Sequence, residues 1–290
     1  MTAHPRRDLH EDNRLSWNEA TKVHNSHKGD QAAFLREGGG TLFPEEVELL
    51  GDVRGLRLLH LQCNSGQDTL SLASLGAEVT GVDISDEAVS FATRLSAESG
   101  IAGRFARADV YDWLAEAADS DPRWDVVFSS YGAVIWLSDL AAWAKGIAAV
   151  LRPGGRFCLV EFHPAPWMFN EHWDFEYPYT SEGKAMTFDD GIGDYVGASG
   201  AGLVGADAAP ARGSKFTNPH RSHEFAWSLS DLFTALIEAG LAVEVFREYP
   251  YSNGFKGFDG MVELAGRRWA PPSRIPWMPM MYALAARKPV

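Results

Sequence analysis

Hydrophobic and polar positions along the chain follow two periods from residue 55 onward. Short apolar runs of strand length alternate with longer amphipathic runs of helical length. The five apolar runs cover residues 56–63, 77–84, 103–110, 124–131 and 156–163. Helical crossovers imply parallel pairing, and continuous apolar strands imply burial on both faces of the sheet. The pattern therefore predicts a doubly wound α/β domain.

The alternation resumes near the end of the chain. Ser228 and Asp231 have the spacing of a capping box and predict a helix that ends at Gly240. Two last strands are predicted over residues 241–249 and 280–288, and the long connection between them can fold back over the sheet. We therefore expect five parallel strands plus two C-terminal strands.

The first 54 residues show weaker periodicity. Residues 1–15 carry charges but no apolar central segment, so they do not read as a secretory signal and are predicted to be a disordered tail. Ser16 and Glu19 form a plausible capping box that opens a first helix, and Pro44 suits the first turn of a later one. These helices are candidates for a lid over the domain.

Residues 164–222 break the alternation. Their first half contains eight aromatic residues between Trp167 and Tyr195, and their second half is rich in glycine and alanine. We expect the aromatic half to cap an acceptor pocket and the glycine-rich half to be a mobile loop. The predicted organisation is a tail at 1–15, N-terminal helices at 16–54, a core at 55–163 and 223–290, and a capping insert at 164–222.

The charge balance and the hydrophobic pattern restrict the partners. Lys and Arg total 26 against 39 Asp and Glu, which leaves a formal net charge of −13 and no basic face for phosphate. Nucleic acid and anionic membrane surfaces are therefore not expected as partners. No apolar run is long enough to span a membrane, and a cytoplasmic protein with a small-molecule substrate is expected.

The two cysteines, Cys63 and Cys158, lie in apolar strand-like runs. Neither belongs to a cluster with metal-ligand spacing, so we expect reduced core thiols and no metal site.

The ends of the predicted strands favour one cofactor over another. Ligands of a doubly wound sheet bind at the carboxyl ends of its strands, and Asp83 ends the second strand, where a carboxylate can bind the hydroxyls of an adenosine ribose. That placement suits both NAD and S-adenosylmethionine. The loop after the first strand lacks the G-x-G-x-x-G of dinucleotide sites, and Asp68 in the first helical turn would repel a pyrophosphate. The balance therefore favours S-adenosylmethionine.

Four runs carry a resemblance to a known family: LLHLQCNSGQDTLSLASLGAEVTGVDISDEAVSFA, ARADVYDW, WDVVFSSYGAVIWLSDL and LRPGGRFCLVEFHP. In this order the chain resembles a class I S-adenosylmethionine-dependent methyltransferase, more narrowly the bacterial small-molecule methyltransferases whose first loop reads L-H-L-Q-C. The resemblance covers residues 55–163 strongly and 225–290 weakly. It implies a Rossmann-like fold and an enzyme that transfers a methyl group from S-adenosylmethionine to an O, N or C atom of a small metabolite.

The resemblance implies roles for residues at the strand ends. Gln62, Asn64 and Gly66 would hold the methionine end of the cofactor, Asp83 the ribose, Ile84 the adenine face, Asp109 and Val110 the adenine edge, and Ser130 the methionine portion. His60 departs from the carboxylate usual at its position. Either His60 bonds within the loop, or the ammonium group of the cofactor finds partners elsewhere. An amide such as Gln62 can accept from an ammonium group, so it could replace backbone contacts.

Three residues are candidates for a general base. Methyl transfer from a sulfonium depends largely on positioning and exclusion of water, so a base is needed only when the acceptor must lose a proton early. Glu161 and His163 end the fifth strand on one face, and His24 lies on the first helix. Structural roles are equally compatible with the sequence at these positions.

Four aromatic residues are candidates for contact with the acceptor. They are Trp17, which shares a helix face with His24, Tyr131 and Trp136 after the fourth strand, and Trp173 in the insert. Packing onto the domain is the alternative role for Trp17 and Trp136, and a small satellite core is the alternative for the insert.

Two other functions stay open from the sequence. The first is a protein that binds S-adenosylmethionine or its product without turnover, and the second is an NAD-dependent oxidoreductase, which the loop composition disfavours. The acceptor and the oligomeric state are not determined by the sequence.

Overall fold

A seven-stranded sheet organises the fold in the computed structural model, which describes residues 4–119, 123–199 and 216–290. The strand order is β3-β2-β1-β4-β5-β12-β8, with a three-stranded sheet β10-β11-β9 and a two-stranded sheet β6-β7 beside it. The strands are β1 (Arg57–Leu61), β2 (Glu78–Asp83), β3 (Arg104–Arg107), β4 (Trp124–Ser130), β5 (Leu151–Phe162), β6 (Met186–Phe188), β7 (Ser222–Glu224), β8 (Ala242–Tyr249), β9 (Ser252–Asn253), β10 (Val262–Leu264), β11 (Arg268–Ala270) and β12 (Met281–Arg287).

Helices cover both faces of this sheet. The α-helices of the described residues are α1 (Arg7–Ser26), α2 (Gln31–Arg36), α3 (Pro44–Leu50), α4 (Gln67–Ser74), α5 (Asp86–Ser99), α6 (Val110–Ala118), α7 (Leu140–Val150), α8 (Tyr195–Ser199) and α9 (Leu229–Glu238). None of the helices in the described part of the chain is long and apolar enough to cross a membrane.

The predicted doubly wound sheet is confirmed. β1 to β5 pair in parallel, and β12 runs antiparallel between β5 and β8. Because β1 pairs with both β2 and β4, the strand order reverses at β1, which is where doubly wound folds bind ligands. The capping box of α9 is also present, with the Ser228 hydroxyl accepting from the Asp231 amide at 3.1 Å.

Strand alternation divides the core into two layers. On β1, Leu58 packs into the layer on one face, and Leu59 and Leu61 pack into the layer on the other. Cys158 is fully buried in the first of these layers. Cys158 and Cys63 are both free and buried, as the sequence predicted.

The prediction of a disordered tail over residues 1–15 was wrong. Helix α1 begins at Arg7, nine positions before the capping box expected at Ser16. The buried face of α1 is almost entirely polar and includes His10, Asn13 and His24. Hydrogen bonds rather than apolar contacts attach this face to the domain, so hydrophobic periodicity could not detect it.

The insert is only partly a cap. Between β5 and α9 lie the strands β6 and β7 and the short helix α8, whereas the glycine-rich segment predicted as a mobile loop lies mainly at residues 200–213, outside the described residues. The long connection between β8 and β12 folds back as predicted and forms the three-stranded sheet.

Candidate functional site

A cavity of about 410 Å³ lies at the carboxyl ends of β1 to β4, where the strand order reverses. We call the side formed by these strand ends and the loops that follow them the strand-end wall, at residues 60–68, 82–84, 108–111 and 130–137. We call the opposite side the cap wall, formed by residues of α1, 191–196, Glu224 and 253–267. The volume is in the range of small-molecule sites.

Most of the residues predicted to hold a cofactor come together on the strand-end wall. Those that line the cavity are Gln62, Asn64, Asp83, Ile84, Asp109, Val110 and Ser130. Gly66 does not line it. Gly66 has φ of +77° at the start of α4, and a Cβ there would lie 2.6 Å from the Ala92 Cβ, so glycine is required by the turn itself.

The first loop is shaped by residues in left-handed backbone conformations. Gln62 and Asn64 have φ of 55° and 47°, which is uncommon outside glycine. The Gln62 amide donates to the Ala133 carbonyl at 2.7 Å, while its Oε1 atom is buried without a hydrogen-bond partner among the described residues. An unpaired buried acceptor on a cavity wall is suited to a donor from a ligand.

Asp83 is held by backbone amides at the end of β2. Its Oδ2 accepts from Asn64 N at 2.8 Å and its Oδ1 from Ser85 N at 2.9 Å. Burial raises the pKa of this carboxyl to about 6, although these bonds act in the opposite direction. Each carboxylate oxygen has a second lone pair for a further donor, such as a hydroxyl group in the cavity.

Asp109 starts α6 and is bonded from two elements. Its Oδ1 accepts from Tyr111 N at 2.9 Å, and its Oδ2 lies 2.6 Å from His10 Nδ1 of α1. Burial acts to raise the pKa of Asp109, but His10, the Tyr111 amide and Arg7 together outweigh it, and the net shift is downward. The other ring nitrogen of His10 lies 2.8 Å from Ser138 Oγ, so α1 is fastened directly over this end of the cavity.

His60 bonds within the domain, which answers the question raised by its departure from the family pattern. Its Nδ1 lies 2.8 Å from Thr69 Oγ1 of α4, and its Nε2 lies 3.4 Å from Ser130 Oγ. Burial lowers the pKa of His60 to about 4, so the ring is neutral at pH 7. A neutral imidazole cannot replace the charge of a carboxylate.

Charged side chains of other elements gather beside this loop. Asp68, Lys28 and Arg267 line the cavity there, and Asp68 accepts from the Thr41 hydroxyl. Burial lowers the pKa of Lys28 to about 8, with Asp68 acting against this shift. One carboxylate and two cations can bind a zwitterionic group.

Aromatic residues line one part of the cavity, which we call the upper part and which contains Trp17, Tyr131, Trp136 and Tyr195. The Trp17 and Trp136 rings meet edge to face with centroids 5.4 Å apart, and the His24 ring lies 4.3 Å from the Tyr195 ring. Trp17, Trp136 and Tyr131, the candidates for acceptor contact, line the cavity. The Tyr131 hydroxyl accepts from Asn253 Nδ2 at 2.8 Å.

His24 lies in the cavity but is a weak base. Its Nε2 is 3.0 Å from the Gly193 carbonyl oxygen, which can only accept, so Nε2 carries the proton and Nδ1 is free of one. Burial lowers the pKa of His24 to about 4. The ring is therefore neutral at pH 7 and has little tendency to take up a second proton.

Glu161 and His163 do not face the cavity, in contrast to their prediction as general bases. Strand alternation turns Phe162 into the cavity wall and places its two neighbours on the opposite face. The Glu161 carboxylate accepts from the backbone amides of residues 132–134 and from its own neighbour Phe162, at 2.7 Å from Ala133 N. Glu161 thereby positions the loop that carries Trp136.

The ring of His163 contacts neighbouring segments of the chain. Its Nδ1 accepts from Ala165 N at 3.1 Å, and its Nε2 lies 3.0 Å from Glu248 Oε1. The ring packs edge to face on Tyr282. These contacts give His163 a structural role on the face of β5 that is turned away from the cavity.

Trp173 is also absent from the cavity. It packs in a satellite cluster with Phe258, Met261 and Met280, and its indole donates to the Asp259 carbonyl at 2.8 Å. Of the eight aromatic residues of the insert, Trp167 and Tyr195 line the cavity. Trp167 and Phe169 also pack against this cluster, so the satellite-core alternative holds for three of the eight aromatic residues between Trp167 and Tyr195.

Several cavity residues were not singled out from the sequence: His10, Lys28, Ile192, Tyr195, Glu224, Asn253, Phe255 and Arg267. They come from the N-terminal helix, the insert and the C-terminal connection. No motif marks them, because tertiary contacts between distant segments place them. A carboxylate directly at the end of a short strand, as at Glu224, is the one signal that could have drawn notice.

The chain is similar to known proteins in both sequence and structure. Residues 58–155 match the family model described as a methyltransferase domain. The methyltransferase CcbJ from Streptomyces caelestis has a similar structure, with a TM-score of 0.58 at 15% identity, covering 96% of this chain and 99% of that one. The fold is a methyltransferase fold. An S-adenosylmethionine-dependent methyltransferase from Mesorhizobium loti is also similar, with a TM-score of 0.52 at 19% identity over 86% of this chain and 99% of that one.

Among curated proteins, the chain is similar to a ubiquinone biosynthesis O-methyltransferase from Xanthomonas axonopodis pv. citri (strain 306). The two are 33% identical over 115 residues, which cover 40% of this chain and 46% of the relative. The chain thus spans about half the length of the curated relatives it matches. The Rossmann-like fold expected from the sequence is confirmed, and the residues matched by the family model, 58–155, include the strand-end wall.

Proposed function

We propose that the protein transfers a methyl group from S-adenosylmethionine to a small molecule. The observation that carries the proposal is the strand-end wall: Asp83 and Asp109 end two neighbouring strands at the strand-order reversal, beside a loop with unused hydrogen-bond capacity. The matched methyltransferase domain covers the strands that build this wall.

The residues present fit S-adenosylmethionine. Asp83 would accept from the ribose hydroxyls, with Ile84 and Val110 packing on the adenine. The unpaired Gln62 Oε1 and the Asp68 carboxylate would accept from the ammonium group, and Lys28 would face the carboxylate. The sulfonium supplies an electrophilic methyl group. A second acid at Asp68, close to the first loop, opposes the pyrophosphate of NAD.

The protein would contribute positioning of the reactants and exclusion of water. Helix α1 bonds to the strand-end wall through His10 and to β7 through Asn13, whose side chain donates to the His223 carbonyl and accepts from the His223 amide. The apolar rings of Trp17 and Trp136 would exclude water from the upper cavity. An acceptor between these rings and the cofactor would be placed for in-line attack.

The test is a comparison of ligands and of products. Isothermal titration calorimetry is expected to show binding of S-adenosylmethionine and S-adenosylhomocysteine and none of NAD. Release of S-adenosylhomocysteine on addition of a set of small hydroxylated and amino compounds would then distinguish an enzyme from a protein that only binds. Tight NAD binding without S-adenosylmethionine binding would overturn the proposal.

The acceptor is proposed to be a hydroxyl group on an aromatic-sized molecule. The relative from Xanthomonas is named as an O-methyltransferase, and aromatic rings line the upper cavity. We further propose that the protein acts in the cytoplasm and does not bind nucleic acid, in keeping with its net charge of −13.

A further inference from the structure

One carboxyl group in the cavity is bound differently from the others. Asp83 and Asp109 each accept from backbone amides, and Asp68 accepts from the Thr41 hydroxyl. Glu224 lines the same cavity, yet within the described part of the chain its side chain has no hydrogen bond or ion pair. A desolvated carboxyl without a partner is costly to fold, and such groups concentrate at functional sites.

The backbone around Glu224 is held firmly while its side chain is left free. Glu224 ends β7, where it pairs with Met186 of β6. The preceding residue, His223, exchanges two hydrogen bonds with Asn13 of α1, and the following residue, Phe225, donates to the Ile135 carbonyl at 2.8 Å. Glu224 is thus fixed between α1 and the loop after β4.

This position places Glu224 in the aromatic part of the cavity. Asn13 is one helical turn from Trp17, and Ile135 precedes Trp136, whose ring meets Trp17. Asn13 is also one turn from His10, so Glu224 lies between the His10–Asp109 contact and the Trp17–Trp136 pair, away from the charged cluster of Lys28, Asp68 and Arg267 beside the first loop.

The surroundings raise the proton affinity of this carboxyl. Burial alone raises the pKa of Glu224 to about 7. Burial and nearby carboxylates, Glu224 among them, raise the pKa of Tyr177. His223, the residue before Glu224, has other partners: its Nε2 lies 3.0 Å from Asp12 Oδ2 of α1, and its Nδ1 lies 3.0 Å from Thr187 Oγ1 of β6. A base that titrates near neutral pH is well matched to proton removal, whereas His24 titrates near 4.

We propose that Glu224 is the catalytic base of the methyl transfer and that the acceptor is an apolar, ring-sized molecule with a phenol-like hydroxyl group. This inference rests on the proposed function. The acceptor hydroxyl gives its proton to the Glu224 carboxylate, and its oxygen forms the new bond to the methyl carbon as the bond from that carbon to sulfur breaks. The sulfur keeps the bonding electron pair and becomes a neutral thioether, and Glu224 returns the proton to water.

A hydroxyl acceptor suits the site better than a cationic amine. A phenol is neutral when it binds and becomes negative as it loses its proton, so it is attracted to the positive sulfonium. An ammonium acceptor would be repelled by the same charge until it is deprotonated. The ring faces of Trp17 and Trp136 offer apolar contact to a flat molecule.

The experiment measures binding to the complex with S-adenosylhomocysteine at pH 8, with 4-methylphenol as the probe. At this pH Glu224 is ionised and a phenol, with a pKa of about 10, still carries its proton. E224Q is expected to weaken 4-methylphenol binding at least tenfold. The surface variant E238Q, the same substitution on an exposed residue of α9, should bind like the wild type.

A further probe and the cofactor separate the outcomes. The ether 4-methylanisole has no proton to donate, so it should bind the wild type and E224Q equally. Equal binding of 4-methylphenol to both proteins, or its failure to bind the wild type, would overturn the inference. Calorimetry with S-adenosylhomocysteine should give the same affinity for both proteins; no binding by the wild type would instead refute the proposed function.

Discussion

The two walls of the cavity are built in opposite ways. On the strand-end wall, Asp83 is bonded by amides of the neighbouring loops, and each strand delivers its residues by parallel pairing. On the cap wall, the bonds between Asn13 and His223 join positions 210 residues apart. The first wall is preorganised for one shared ligand. On the second, none of the described residues forms a hydrogen bond or ion pair with the Glu224 side chain, which retains capacity for a specific acceptor.

The largest effect should come from a carboxylate that supports the strand-end wall. Glu161 accepts from four backbone amides, and a glutamine would place a donor group against at least one of them. E161Q is therefore expected to lower the free energy of unfolding by about 3 kcal/mol. Urea denaturation followed by circular dichroism at pH 8 measures it. A change near zero would show that this carboxylate does not hold the loop.

The same substitution on the cap wall should act in the opposite direction. Burial raises the pKa of Glu224 from 4.5 to about 7, so its ionised form destabilises the folded state above that range and its neutral form does not. E224Q should be more stable than the wild type by about 1 kcal/mol at pH 8 and equally stable near pH 4. An E224Q protein less stable than the wild type at pH 8 would show that the two walls do not differ in this way.

Of the two effects expected on cofactor affinity, the larger should come from the strand-end wall. D83A removes the acceptor for the ribose hydroxyls and should weaken S-adenosylmethionine binding by about 2 kcal/mol, roughly thirtyfold. Because the pKa of Asp83 is about 6, wild-type affinity should also fall as the pH drops below 6 and the carboxyl becomes protonated. D83N should show no such step. Calorimetry between pH 5 and 8 measures both effects, and an unchanged affinity in D83A would reject the assignment.

The smallest effect is expected where the two walls meet. His10 joins α1 to Asp109 and Ser138, so H10A should weaken cofactor binding by about 1 kcal/mol, roughly fivefold, while the domain stays folded. The matched control is H172A, since His172 is exposed and pairs with Asp259 away from the cavity. Equal affinities in H10A, H172A and the wild type would mean that α1 covers the site without contributing to it.

Prediction from sequence succeeded for residues whose positions follow from the alternation of strands and helices along the chain. β1 was expected at residues 56–63 and lies at Arg57–Leu61, and the residues that follow β1, β2 and β4 line the cavity as expected. It failed for Glu161 and His163, which end β5 on the face opposite the cavity. The alternation correctly placed the two on one face, but only the packed structure shows that Phe162 faces the cavity.

The sequence by itself determined the doubly wound sheet, the capping box of α9 and the strand-end position of Asp83, because hydrophobic period and turn chemistry are local properties. Tertiary structure alone decided the cap wall. The buried face of α1 is polar and carries no hydrophobic signal, and its partners lie in distant segments. Glu224 is distinctive only in the folded chain, where the elements that the structure describes around it supply no hydrogen-bond donor to its side chain.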